Sequence, residues 1–522
     1  MNMIETVSQS GVWRAADAIP ALKRSTRLKM LLHAAALYAL CFAVLSAIAF
    51  AAPGFLGTDD YYHTRIATEM IEQRRLAVDF PWLPLTILNP EHFVDHHLLF
   101  HLYIAPWAAL GGVAGAKLAT ASIAAGVFVA AWALLRALGV RYAALWTLGL
   151  FGLSVPFVYR MLMVRTQGAS LLLLIVALLI LQQRRYRWLI PLGFAYAWLY
   201  NGFVLLIAIA GLYTLAAWIT DRRWDWRPPI YTALGIGLGL IINPYFPANV
   251  MFIMEHLGAK VAFESGVRVG NEWYPYTTGG LLAHSGGALL MLALGALRPA
   301  FEGHRRDRME TALLLIALLT LFMLLRSRRF IEYYPAFALL YGAAAWGRGA
   351  FRLAAYLPRR VPERLGYAAL VLLAAFAMGN TLTSTYQDAQ STRDVEEFAG
   401  ASAWLAANTP PGALVFQTDW DDFTRLFYYN THNVYLVGLD PTYLERADGS
   451  LWEWWVAITR GEVEQPSAAI RAIFGASYVV SDTRHRAFED QAALDPGLEL
   501  VFEDRHSLVW RVVPEAALHT NP

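Results

Sequence analysis

The chain has 522 residues, of which 57% are hydrophobic and only 16% charged. Soluble domains carry about 25% charged residues, so a water-soluble enzyme of this size is excluded, and so is a disordered chain. The net charge of +2, from 42 basic and 40 acidic residues, leaves no electrostatic footprint for nucleic acid.

Residues 1–29 are polar and end in the basic cluster Lys23, Arg24, Arg27 and Lys29. The apolar run from Met30 to about Ala52 outlasts a signal-peptide core and lacks a small-residue cleavage site, so it reads as a retained anchor. Its basic flank predicts a cytoplasmic N-terminal segment, 1–29, and puts residues 53–97 outside. Cys41, inside this run, is the only cysteine, which excludes an intramolecular disulfide and a cysteine zinc site.

Further apolar stretches follow at 98–135, 142–159, 166–183, 188–200, 203–220, 228–246, 279–298, 309–325, 330–347 and 365–383. A span needs roughly 20 apolar residues. By that measure 188–200 is short, and 98–135 is too long for one simple helix, with a break expected at Gly111–Gly112. Basic loops at 184–187, 221–227, 298–308 and 348–364 belong inside by the positive-inside rule. Residues 160–165, 247–278, 326–329 and 384–522 then fall outside, for about 11 crossings, or 13 if 98–135 hides a further pair.

From residue 384 the composition changes. LVFQ (414–417), VYLVG (434–438), YVVS (478–481), LELVF (498–502) and LVWRVV (508–513) read as strands, and 394–407, 422–429, 451–459 and 467–474 as helices. The expected architecture is a polytopic α-helical membrane protein in the cytoplasmic (inner) membrane. It comprises a transmembrane domain over 30–383, with exterior loops 53–97 and 247–278, and an extracytoplasmic α/β domain over 384–522.

Five polar clusters lie on the predicted outer side. Asp59, Asp60, His63 and Arg65 follow the first span; they suit a divalent cation or acid–base chemistry, or simply begin a helix. Glu91, His92, Asp95, His96, His97 and His101 stand just before the next span, where burying them in lipid is costly, so they are expected to face an aqueous cavity. Their spacing is not that of a zinc helix. Glu264, Arg268, Asn271, Glu272 and Trp273 lie in a long loop, of a length that is often functional. Arg326, Arg328 and Arg329 run against the positive-inside trend and suit a lipid-linked phosphate. Asp419, Trp420, Asp421 and Asp422 end a predicted strand, a common place for a binding loop, though Asp422 also suits a helix cap. His256, His284 and His304 read as interface residues, and Asn201-Gly202 as a tight turn.

Taken together, these clusters resemble the membrane-embedded glycosyltransferases of the GT-C fold, and most of all the catalytic subunits of oligosaccharyltransferases. Asp59-Asp60-Tyr61-Tyr62-His63-Thr64-Arg65 is similar to the D-P-Y-Y-H-x-R string of archaeal members, whose first Asp binds metal and acceptor. Asn271-Glu272-Trp273 resembles their exterior-loop Glu motif, and Arg328-Arg329-Phe330 their Arg-Phe near donor and acceptor. Thr418-Asp419-Trp420-Asp421-Asp422-Phe423 looks like a degenerate W-W-D motif. Two places depart from the pattern: the acidic pair expected seven and nine residues after Arg160 is Gln167 and Ala169.

The resemblance implies transfer of a sugar or oligosaccharide from a polyprenyl-phosphate or polyprenyl-pyrophosphate donor to an extracytoplasmic protein, glycolipid or polysaccharide. Asp59, Glu272, Asp60 and His63 are the expected catalytic residues. Arg326, Arg328 and Arg329 are expected at the donor phosphate, and Trp420, Asp421 and Asp422 at the acceptor. A divalent cation, Mg²⁺ or Mn²⁺, would sit among Asp59, Asp95, His96, His97 and Glu272. The competing readings are a transporter or flippase of a lipid-linked glycan, which predicts an internal repeat that is not visible here, and a non-catalytic assembly protein.

Overall fold

A computed structural model describes residues 24–254, 270–303, 305–348 and 362–514. The readings made for Lys23, His256, Glu264, Arg268 and His304 fall outside these residues.

In chain order the helices are α1 (Arg24–Ala49), α2 (Asp59–Glu72), α3 (Leu98–Ala137), α4 (Ala143–Leu148), α5 (Val155–Met161), α6 (Gln167–Gln182), α7 (Leu189–Leu199), α8 (Val204–Asp221) and α9 (Arg227–Ile241). They continue with α10 (Thr278–Glu302), α11 (Arg308–Arg326), α12 (Tyr334–Trp346) and α13 (Glu363–Gln390). Among the described residues, six of these (α1, α3, α8, α10, α11 and α13) are long and apolar enough to cross a membrane. The pair formed by α4 with its following turn and α5, bent by 99°, would be a seventh. The protein is a multi-pass membrane protein.

Of the 11 to 13 crossings expected from hydropathy, these six or seven are the ones met by a long apolar helix. The stretches at 166–183, 188–200, 228–246 and 330–347 fold as α6, α7, α9 and α12, with 16, 11, 15 and 13 residues. At 1.5 Å per residue such helices reach roughly 17–24 Å, short of a bilayer core of about 30 Å. α12 is buried along almost its whole length by the surrounding helices.

The expected break in 98–135 falls at Gly112, whose φ of 53° and ψ of −129° are open to glycine but not to side-chain-bearing residues. Gly115 lies so close to the Trp107 carbonyl that a Cβ would clash with it.

The chain after α13 forms α14 (Ala399–Asn408), β1 (Leu414–Gln417), α15 (Phe423–Tyr429), β2 (Val434–Tyr435), α16 (Thr442–Ala447), α17 (Gly449–Thr459), an irregular helical segment at 466–474, β3 (Tyr478–Asp482), α18 (Arg486–Leu494), β4 (Leu498–Glu503) and β5 (Ser507–Val512). The sheet order is β2-β1-β3-β5-β4. β1 is parallel to β2 and β3, while β5 is antiparallel to β3 and β4. Alternation along β1 sends Val415 to one core and Phe416 to another. The Val415 side is shared with Phe80, Trp82, Phe93, Phe423 and Phe427, so the loop after α2 and the sheet bury one apolar seam together. α15 packs on α2, and α2 packs on α3, which ties the sheet to the helical bundle.

Candidate active site

A cavity of about 750 Å³ opens at this seam. Its wall includes Asp59 and His63 from α2, His96 and His97 before α3, Arg165, Glu272, Arg326 and Arg329 at the ends of bundle helices, and Asp419, Trp420 and Asp421 after β1. The placement follows from local structure. Asp59 opens α2, where an acidic side chain faces the positive end of the helix. Ser154 caps α5 by accepting from the Phe157 N–H at 3.2 Å, which sets the turn that brings Arg160 and Arg165 to the site. Loops at the carboxyl ends of parallel strands are common binding positions, and residues 418–422 follow β1 in that way.

An ion network crosses the cavity wall. Arg165 Nη2 lies 2.8 Å from Asp59 Oδ2, and its Nη1 donates to Glu272 Oε2 at 3.2 Å. Glu272 also accepts from Arg160 at 2.7 Å and from Arg329 at 2.9 Å. Arg160 donates in turn to the buried Glu332 at 2.6 Å. The turn carrying Glu272 is itself pinned, since Ser327 Oγ donates to the Glu272 carbonyl at 2.9 Å, and Arg329 lies over the Trp273 ring at 4.8 Å. Burial opposes the charge on Glu272, but Arg329, Arg165 and Arg160 overrule it and hold the carboxyl well below its ordinary range.

A second network is built of histidines. His101 Nδ1 and Asp95 Oδ2 are 2.8 Å apart, as are His63 Nδ1 and His101 Nε2. Asp95 also accepts from the His97 N–H at 2.9 Å. Burial, then the neighbouring His101 and Arg165, pushes His63 well below its usual range, so it is neutral at pH 7. The tautomers follow from donor–acceptor arithmetic. With Asp95 ionised and His101 neutral, His101 donates through Nδ1 and accepts on Nε2. His63 therefore donates through Nδ1 and turns a lone pair outward on Nε2.

On the sheet side, Thr58 Oγ1 donates to Asp421 Oδ1 at 3.0 Å, joining the start of α2 to the loop after β1. Asp419 accepts from the Asp421 N–H at 3.1 Å. Burial, then the nearby Asp59 and Asp419, pushes the Asp421 carboxyl up to about 6.

Several expected residues lie elsewhere. Asp60 is buried beneath the wall and accepts from the Gly57 N–H at 3.1 Å; burial pushes its carboxyl up to about 7, against the pull of Arg165. Arg328 is turned away from the cavity, donating to the carbonyls of Tyr274 and Pro275, both at 3.1 Å, and lying over Tyr276. Asp422 is buried at the start of α15 and is not part of the wall. His96 and His97 do line the cavity, where His97 stacks on Tyr200 and His96 on Phe252.

The five residues expected to share a divalent cation do not form a ligand set. Asp95 is committed to His101 and His97, both Glu272 oxygens are committed to guanidinium groups, and Asp59 is committed to Arg165. Among the described residues, no group of three or more His, Cys, Asp or Glu is placed to hold a metal ion. Sequence reasoning did not assign roles to Arg165, Arg160 or Glu332, and it named His101 only as a member of the second polar cluster. A lone Arg in a short loop carries no spacing signal, and the six residues from Asp95 to His101 cross a loop-to-helix boundary where no periodicity holds.

No protein-family model and no curated protein sequence matches the chain. Solved structures do. The apo oligosaccharyltransferase of Archaeoglobus fulgidus superposes with a TM-score of 0.62 at 14% identity, over 94% of this chain and 76% of that one. ArnT from Cupriavidus metallidurans bound to undecaprenyl phosphate gives 0.54 at 16% identity, over 94% and 98%. The arabinofuranosyltransferase AftD from Mycobacteria gives 0.54 at 18% identity, over 92% of this chain and 40% of that one. The chain therefore has the GT-C fold, as the resemblance implied.

Proposed function

We propose that the protein is a GT-C glycosyltransferase. It transfers a sugar from a polyprenyl-phosphate-linked donor to an acceptor on the extracytoplasmic side of the cytoplasmic membrane. The observation that carries this reading is that one cavity presents acceptor-binding and phosphate-binding chemistry together: Asp59 and His63 on one helix, Arg326 and Arg329 at the end of another, and the Trp420–Asp421 loop beside them. The shared fold with ArnT, solved with undecaprenyl phosphate, agrees with it.

In this reading the acceptor's nucleophilic atom forms a bond to the anomeric carbon while the bond from that carbon to the lipid-phosphate oxygen breaks. The phosphate leaves with the electron pair, and Arg326 and Arg329 meet its charge. Asp59 orients the acceptor. His63, one turn along α2, takes the acceptor's proton on Nε2, and the resulting imidazolium is stabilised through His101 by the Asp95 carboxylate. Trp420 and Asp421 shape the acceptor side.

Native mass spectrometry of the full chain with undecaprenyl phosphate tests the donor half. Wild type is expected to retain the lipid. Arg326→Ala and Arg329→Ala should each weaken binding by roughly tenfold or more, the worth of a charged hydrogen bond. Equal retention by all three proteins would contradict the assignment of these arginines.

A further inference from the structure

The structure assigns Arg165 as the built-in cation of this centre, a positioning residue that holds Asp59 and Glu272 in place of a divalent metal. The second half of the inference, that transfer is metal-independent, rests on the glycosyltransferase reading; the first half does not.

Three observations carry it. The guanidinium spans two carboxylates from separate segments, 2.8 Å from Asp59 and 3.2 Å from Glu272, and its side chain is only 11% exposed. The ion-paired residues are already balanced among themselves, because Asp59, Glu272 and Glu332 face Arg160, Arg165 and Arg329, three charges of each sign. Two further positive charges would have to expel a guanidinium from a partly desolvated site, where like charges repel strongly. Finally, the two positions where the resembled family places acids carry Gln167 and Ala169, both buried at the start of α6, directly after Arg165. The acids that would offset a divalent charge are absent at those positions, and a fixed positive charge stands beside them.

Arg suits this task because its fork holds two carboxylates in a set geometry and stays charged at every working pH.

The test uses the full chain in nanodiscs and Mn²⁺ alone, followed by electron paramagnetic resonance. Wild type is expected to show no saturable Mn²⁺ binding up to roughly millimolar concentration, the weak end of carboxylate sites. Saturable binding that disappears in Asp59→Asn would overturn the inference, whatever the protein catalyses. In a transfer assay, activity is expected to persist in EDTA; loss in EDTA with recovery on adding Mn²⁺ would also overturn it. Arg165→Ala should lower transfer by about 10²-fold, the usual cost of removing one preorganised donor. Arg165→Lys, which keeps the charge but loses the fork and guards against a folding artefact, should recover part of that loss. Full activity of Arg165→Ala, or equal loss in both variants with unchanged thermal midpoints, would refute the role of the cation. Absence of transfer by wild type would count against the glycosyltransferase reading and leave the Mn²⁺ result standing.

Discussion

At the scale of single residues, Glu272 organises the site because three guanidinium groups converge on it. Glu272→Gln leaves them partly unpaired, and we expect a loss of roughly 1–3 kcal/mol of stability together with a larger loss of transfer. Thermal unfolding of the variant in nanodiscs reads the first quantity; an unchanged midpoint would show that the arginines find other partners. Asp421 supplies a pH test with a definite sign. Its carboxyl rises on folding from 3.8 to about 6, so the native state holds the proton more tightly than the unfolded state. Its contribution to stability is present below its unfolded value and is lost as pH rises through about 6. Asp421→Asn should therefore gain thermal midpoint relative to wild type at pH 8 and gain little at pH 4; an equal change at both pH values would reject the assignment. How far the residues were legible follows from the type of signal each one carried. Asp59, Glu272 and Arg329 stand in short polar strings beside apolar runs, and all three reach the cavity wall. Arg165 acts through contacts with residues from other segments, which leave no mark in the local sequence, whereas His101 stood in the polar cluster with its partner Asp95.

At the scale of elements, strands were easier to read than spans. The five segments with β-branched and aromatic residues between turns all form strands, although VYLVG pairs only at Val434–Tyr435. α16 and α18 were missed: α16 has only six residues, and α18 only nine, with a clear apolar face through Phe488 and Ala492 but charged residues around it. In the bundle, hydropathy reports apolar length but not where a helix ends, so α6, α7, α9 and α12 are shorter than the stretches that marked them. The α7–α9 pair depends on glycine. A Cβ on Gly193 would lie 2.9 Å from the Thr232 carbonyl oxygen, and one on Gly235 would collide with the Ile190 backbone. Close approach of this kind is how small residues join helices in membranes. Gly235→Ala should cost roughly 1–3 kcal/mol. Gly237→Ala, on the same helix but with open space around it, should be neutral or slightly stabilising. Equal midpoints for the two variants would mean that the helix pair can relax apart.

At the scale of the whole molecule, the cavity exists because two different kinds of structure share one seam. The bundle contributes a cationic rim from the ends of its helices, the sheet contributes an acidic and aromatic loop after β1, and α2 lies between them with Asp59 and His63 facing the cavity. The Thr58–Asp421 hydrogen bond and the aromatic core around Phe80 and Phe427 hold the parts in register. Such an arrangement suits a reaction in which a lipid-borne donor meets a polar acceptor at the membrane surface. The most direct measurement is a mass-spectrometric profile of surface glycans in a strain lacking this protein, complemented with wild type or with Asp59→Ala at equal protein levels. The account predicts that a glycan or a modification is lost, that wild type restores it and that Asp59→Ala does not. Unchanged glycans, or equal restoration by both forms, would contradict it and favour a transport or assembly role.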